Sequence, residues 1–295
     1  MSAQELASTL TSGIVLGALY SLMAFGLATV WTTLRIFNFA HGAFIVAGAY
    51  LAWQIGNGGG FGLGFWPAAV ASVAIMFMVG VVFQFLLIRP FERQPNVLLL
   101  TVITTLAGAT IIVNGIEVVW GPRSKQIDPA APGDLVLGLF RISANEAVMI
   151  VAVAVVLVSL AWFLLRTPLG RAMRAVAQNR EAAQLMGLDV RRLYALTFGI
   201  AAATAGLAGV FIGSTRFMTP TMGDTPLQKA LVVVILGGIA RFTSPLYAAF
   251  LVGLIEAFAT FFVGLYWTPA VLFVLMIVVL VIKPEGLFGR WQRTV

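Results

Sequence analysis

The chain has 295 residues, of which 60% are apolar and only 10% charged, and its mean hydropathy is +1.00. About a quarter of a soluble domain's residues are charged, so this chain has too few charges to coat a water-facing surface, and its outer face must meet lipid. It has no cysteine and one histidine, His41, which excludes disulfides, thiolate chemistry and multi-histidine metal cages, and its net charge of +7 lies in short loops, the pattern of membrane orientation and not of nucleic-acid binding.

A membrane helix needs about 20 apolar residues to cross roughly 30 Å of hydrocarbon. Apolar stretches at 13–34, 38–55, 65–88, 97–120, 146–165 and 193–214 meet that length. A longer block at 227–263 contains Gly237, Gly238, Arg241 and Pro245, which reads as a short helix, a tight bend and a second helix. The last stretch is 267–282. The expected fold is an all-α, polytopic transmembrane helical bundle of eight or nine passes, forming one domain over 1–295. The first stretch follows Glu5 and lacks a basic leader, so it is expected to be retained and not cleaved.

Basic residues set the orientation. The connection 166–192 carries six arginines (Arg166, Arg171, Arg174, Arg180, Arg191, Arg192) and is expected on the cytoplasmic side. Arg89 and Arg93 mark a second inner turn, and Lys283, Arg290 and Arg293 place the C-terminus inside. The loop 121–143 is then the largest outer connection, and Gly58-Gly59-Gly60 a flexible outer turn. Nine full passes put the N-terminus outside; a re-entrant early segment puts it inside.

In the helix after Arg192, Ala201, Ala205, Gly209 and Gly213 recur at four-residue spacing, and Gly13 and Gly17 repeat the pattern in the first helix. Such stripes let helices approach closely in lipid. No internal repeat is evident.

Three constellations are candidates for function. Asn38 and His41 are three apart, so a helix would place them on one face. They read either as a helix cap beside an interfacial histidine or as a polar constriction on a translocation path. The segment Arg180-Glu181-Ala182-Ala183-Gln184-Leu185-Met186-Gly187-Leu188-Asp189 reads as a short helix with an acid in its first turn and Gly187 as its C-terminal cap. On an arginine-rich inner loop, such a helix suits docking to another protein. Glu256 is an acid deep in an apolar stretch, where it must pair, protonate or face water. A partner such as Lys229 or Arg241 and a role towards solute are both compatible with its position; Glu117 lies near an outer helix end and reads as interfacial.

The sequence lacks a phosphate-cradling G-x-x-x-x-G-K-[ST] loop, and one histidine cannot complete a Ser/His/Asp or HExxH set. No catalytic or metal-binding residue is expected. An ion-coupled secondary transporter or channel would show paired broken helices, and only one candidate break, near 237–245, is visible.

The stretch Leu16-Gly17-Ala18-Leu19-Tyr20-Ser21-Leu22-Met23-Ala24-Phe25-Gly26, followed by Phe37-Asn38-Phe39-Ala40-His41-Gly42, resembles the N-terminal signature of the branched-chain amino acid permease family in its LivH-like form. Arg180 to Asp189 with Ala195-Leu196-Thr197-Phe198, Leu236-Gly237-Gly238-Ile239, and Lys283-Pro284-Glu285-Gly286-Leu287-Phe288-Gly289-Arg290 extend the resemblance in order along the chain. It implies a permease of an ATP-binding-cassette importer in a bacterial inner membrane, carrying branched-chain amino acids or related small polar solutes such as urea, amides or aromatic acids. It implies a homologous LivM-like second permease, two cytoplasmic ATP-binding subunits that hold the ATP and Mg, and a periplasmic solute-binding protein. Arg180, Glu181, Ala182, Ala183 and Gly187 match the EAA-x-x-x-G docking motif and would form the coupling helix. This chain itself would be neither an enzyme nor a cofactor carrier.

Overall fold

The computed structural model describes residues 2–58, 61–92, 94–238 and 243–288. Arg93, Arg241, Arg290 and Arg293, with Gly59 and Gly60, lie outside the described residues, and so do the turn, ion-pair and C-terminal expectations placed on them.

The chain is built from helices α1 (Ala3–Leu34), α2 (His41–Trp53), α3 (Phe65–Phe83), α4 (Val97–Trp120), α5 (Ala144–Arg166), α6 (Pro168–Gln178), α7 (Arg180–Leu185), α8 (Val190–Thr215), α9 (Asp224–Gly237), α10 (Ser244–Val263) and α11 (Thr268–Ile282). Among the described residues, six segments are long and apolar enough to span a membrane: Ala3–Leu34, Phe65–Phe91, Val97–Trp120, Ala144–Arg166, Val190–Thr215 and Ser244–Val263. α2 gains one π-helical turn, Gln54–Gly58, while α9 and α11 remain shorter than these six. α1 starts ten residues before its apolar stretch because Ser2 and Glu5 form a capping box, with Glu5 N–H donating to Ser2 Oγ at 3.2 Å and Ser2 N–H to Glu5 Oε2 at 2.7 Å.

The structure contains a repeat that residue patterns do not reveal. α1 (32 residues) is followed by a non-helical return over 35–40, the 13-residue α2 and the 19-residue α3. α8 (26 residues) is followed by a largely non-helical return over 216–223, the 14-residue α9 and the 20-residue α10. The packing exchanges likewise: α1 lies along α10 as α8 lies along α3, and α2 packs on α8 as α9 packs on α1. The repeat is carried by helix length and packing, not by residue identity. The starts of the two short helices meet inside the bundle, where a methyl group on Gly42 would strike the carbonyl of Gly223.

The small-residue stripe packs helices together. Ala201, Ala205, Gly209 and Gly213 are all buried, and a Cβ at Gly209 would overlap the Ile45 carbonyl, so only glycine lets α8 sit this close to α2. Phe44, Phe83 and Phe198 join α2, α3 and α8, with ring centroids 5.0 Å and 6.1 Å apart. α4, α5 and α11 carry outward apolar side chains such as Ile111, Val155 and Val281, as a lipid-facing surface requires.

The connection 121–143 is more ordered than a simple loop. Strands β1 (Asp134–Leu137) and β2 (Phe140–Ser143) pair antiparallel, with Asp134 opposite Ser143. Lys125 bridges to Met218, and its ammonium lies 3.9 Å from the Trp53 ring centroid. Ser143 and Glu146 then cap α5. We call this the hairpin end of the bundle; the six arginines mark the other end.

Candidate functional site

At the arginine end, capping chemistry shapes the chain between α5 and α8. Thr167 accepts from Gly170 N–H at 3.0 Å and Pro168 occupies the first turn, so α6 starts directly after α5. Arg174 donates to the Leu164 carbonyl, folding α6 back onto α5. α6 buries Gly170, Met173 and Val176 and ends at Asn179, whose Oδ1 accepts from Ala182 N–H at 2.9 Å and so caps α7.

α7 is closed by a Schellman motif. Leu188 N–H donates to Ala183 O at 3.1 Å and Gly187 N–H to Gln184 O at 3.0 Å, with Gly187 at φ +82°. The expected glycine cap is thus present. Ala183 is buried, whereas Glu181 and Ala182 face outward and Leu185 and Met186 are 88% and 83% exposed. A six-residue helix therefore presents two large apolar side chains away from the bundle.

Arg180 anchors this helix. Its guanidinium lies 3.7 Å from Glu92 Oε2 and 5.4 Å from the centroid of the Tyr194 ring. Glu92, just beyond the Phe65–Phe91 segment, also accepts from Gln84 Nε2 at 2.8 Å. Burial pushes the Glu92 carboxyl above its ordinary range, with Arg180 and the Gln84 hydrogen bond acting in the opposite sense. Sequence reasoning misses Glu92 and Tyr194, because their link to Arg180 is a tertiary one with no local signal.

Asn38 and His41 sit where α2 begins. Asn38 precedes the helix, so the two do not share a helical face; the N-cap position is Ala40, whose N–H donates to Asn38 Oδ1 at 3.1 Å. His41 is fully buried and not interfacial, and its Nε2 lies 3.0 Å from the Met23 carbonyl of α1. Asn38 Nδ2 and His41 Nδ1 have no hydrogen-bond partner among the described residues. The return after α1 carries these polar groups inside the bundle, where lone pairs and donors are costly to leave unmatched.

Glu256 has the partner that one of the two readings offers. Lys229 Nζ of α9 lies 2.5 Å from Glu256 Oε1, and the Tyr20 hydroxyl of α1 donates to Oε2 at 2.6 Å. Three helices therefore meet on one carboxylate. The cluster borders a cavity of about 380 Å³ that also reaches Ser8, Thr9, Glu146 and Arg216. Ser8 and Thr9 of α1 share that cavity with Glu146, so the N-terminus of α1 lies at the hairpin end. Glu117 is exposed near the end of α4. No group of three or more His, Cys, Asp or Glu side chains that could hold a metal occurs among the described residues.

The comparisons with known proteins agree with this architecture. The family described as "Branched-chain amino acid transport system / permease component" matches residues 9–280. The high-affinity branched-chain amino acid transport system permease protein BraD of Pseudomonas aeruginosa is 29% identical, covering 95% of each chain. LivH of Escherichia coli is 28% identical over 95% of this chain and 94% of its own, and LivM of the same species 27% identical over 91% and 67%. Among solved structures, PsaBC from Streptococcus pneumoniae in complex with Fab superposes with a TM-score of 0.50 over 92% of this chain and 90% of its own. At 11% identity, that likeness shows the fold alone.

Proposed function

The chain belongs to the branched-chain amino acid permease family, and on that premise we propose that it moves aliphatic amino acids or related small polar solutes across a bacterial inner membrane. It is a multi-pass membrane permease subunit of an ABC importer. In this reading it forms one domain over 1–295 and pairs with a LivM-like second permease. Two cytoplasmic subunits that bind ATP and Mg drive it, and a periplasmic binding protein delivers the solute. Hydrolysis takes place in those partners, since this chain lacks a phosphate-cradling loop.

The observation that carries the reading is α7. Arg180, Glu181, Ala182, Ala183 and Gly187 form a capped helix whose exposed Leu185 and Met186 offer an apolar knob to a groove on an ATPase. Arg180 ties that knob to the α3–α4 turn through Glu92 and to α8 through Tyr194. A push on α7 is thereby delivered to two halves of the bundle, as alternating access needs.

The same reading assigns nine passes, with α2 and α9 as the short ones, the N-terminus outside and the arginine end inside. The position of Ser8 and Thr9 beside Glu146 supports the outer N-terminus. Asn38 and His41 mark the level at which α2 and α9 begin, and Glu256 lies on the solute side of the bundle.

The experiment is reconstitution of the complete complex in proteoliposomes with loaded binding protein inside the lumen and ATP outside. ATP-dependent solute movement is expected. Movement driven by an ion gradient without ATP would contradict the reading.

A further inference from the structure

Two cavities adjoin at the hairpin end, and Leu16, Arg216 and Lys229 line both. The larger, about 380 Å³, is polar on one side, with Glu146, Glu256 and the hydroxyls of Ser12 and Thr260. The smaller, about 280 Å³, is walled by Leu19, Met23, Ile212, Phe217 and Met222. The charges in this space are unequally satisfied. Lys229 and Glu256 neutralise each other, with Tyr20 holding the second carboxylate oxygen. Arg216 and Glu146, on opposite elements of the same cavity, carry no ion pair among the described residues.

An arginine and a glutamate without ion pairs among the described residues, the glutamate keeping one oxygen on the Ser143 N–H, and an adjoining apolar chamber match a small zwitterion with an aliphatic side chain. We infer that these joined cavities form a solute site within the permease. Arg216 receives the α-carboxylate, Glu146 the α-ammonium, and the chamber between Leu19, Met23 and Met222 the side chain. The Tyr20–Glu256–Lys229 cluster is the floor. It holds α1, α9 and α10 together without adding net charge, so the ligand's own two charges meet only their two counterparts. A mostly apolar pocket with a few convergent polar groups is the usual form of a small-molecule site. The inference rests on the importer reading above.

The test uses the complete permease–ATPase complex in lipid nanodiscs without the binding protein, whose own selectivity would mask the permease. Equilibrium binding of radiolabelled leucine is measured for the natural protein, Arg216→Gln and Arg216→Lys. Loss of one charge-assisted contact should weaken binding by at least about tenfold in Arg216→Gln, with Arg216→Lys in between. On the natural protein, 3-methylbutylamine, which lacks the carboxylate, and 4-methylpentanoate, which lacks the ammonium, should each compete at least about tenfold less well than leucine. Unchanged leucine binding in Arg216→Gln overturns the site. So do analogues that compete as well as leucine, or co-purification of an anionic phospholipid in place of leucine binding. If Arg216→Gln does not assemble, the analogue competition decides. Normal ATP-driven uptake combined with any of these overturning results leaves the importer reading intact and removes only the site. Absence of ATP-driven uptake in the natural protein removes the importer reading itself.

Discussion

Arg180, at the start of α7, and Glu92, in the turn between α3 and α4, lie 3.7 Å apart and bind together two connections 88 positions apart in sequence. Arg180 is 41% exposed, and the burial of Glu92 outweighs the opposing effect of Arg180, so the pair adds little to folding. Its consequence is mechanical. Glu92→Gln should leave assembly and melting temperature nearly unchanged while lowering the number of solutes moved per ATP hydrolysed in proteoliposomes. A natural ratio in that variant would assign the pair to ordinary loop packing.

Acidification offers a second view of the same contact. Burial raises the Glu92 carboxyl, so the folded protein keeps this proton to a higher pH than the unfolded chain does. By linkage, the contribution of this group to stability falls as pH rises through that window and grows as pH is lowered through it. Protonation nonetheless discharges the partner of Arg180. Protection against hydrogen exchange at 180–186, after correction for the intrinsic slowing of exchange in acid, should therefore fall on mild acidification without a loss of global stability from this group, and Glu92→Gln should abolish that response. Exchange with the same pH profile in both proteins would contradict the linkage.

Gly187 closes α7 at φ +82°. A β-branched residue there costs about 1–2 kcal/mol in the left-handed conformation and should unravel the last turn of α7. Gly187→Val is expected to assemble normally, hydrolyse ATP at a basal rate and lose stimulation by loaded binding protein. Retained stimulation would show that the Schellman closure is dispensable.

The buried pair between Lys229 and Glu256 gives a cycle with a fixed sign. Lys229→Met or Glu256→Leu alone strands a charge in the bundle and should destabilise by about 3–5 kcal/mol. The double variant should recover most of that loss, because an apolar replacement needs no counter-charge. Thermal unfolding in nanodiscs reads the three proteins directly, and additive losses in the double variant would mean that the two side chains do not neutralise each other.

Local signals are legible in the sequence and tertiary ones are not. Hydropathy places α4 at 97–120 end to end, because a lipid-crossing helix is defined by its own residues. The Gly187 cap is equally visible, since a left-handed turn demands a particular residue type. The start of α1 at Ala3 is obscured by polar residues that help to cap the helix and do not cross lipid. The spacing of Asn38 to His41 fits a helix, yet the chain is still returning from α1 at Asn38. For Glu256 the sequence offers Lys229 and Arg241 as partners without a means to choose, and Tyr20, 236 positions away, gives no signal at all. The paired arrangement of α1–α2–α3 and α8–α9–α10 is hidden because lipid accepts any apolar residue, which erases sequence similarity while helix lengths persist.

The side of the membrane on which α7 lies is the most direct test of the whole account. The chain has no cysteine, so Leu185→Cys, at a position 88% exposed, introduces a unique thiol in this subunit. A membrane-impermeant maleimide should leave it unlabelled in intact cells and label it in inside-out vesicles from cells that lack the ATPase subunits. Labelling from outside intact cells would place α7 beyond the reach of any cytoplasmic ATPase and contradict the coupling role.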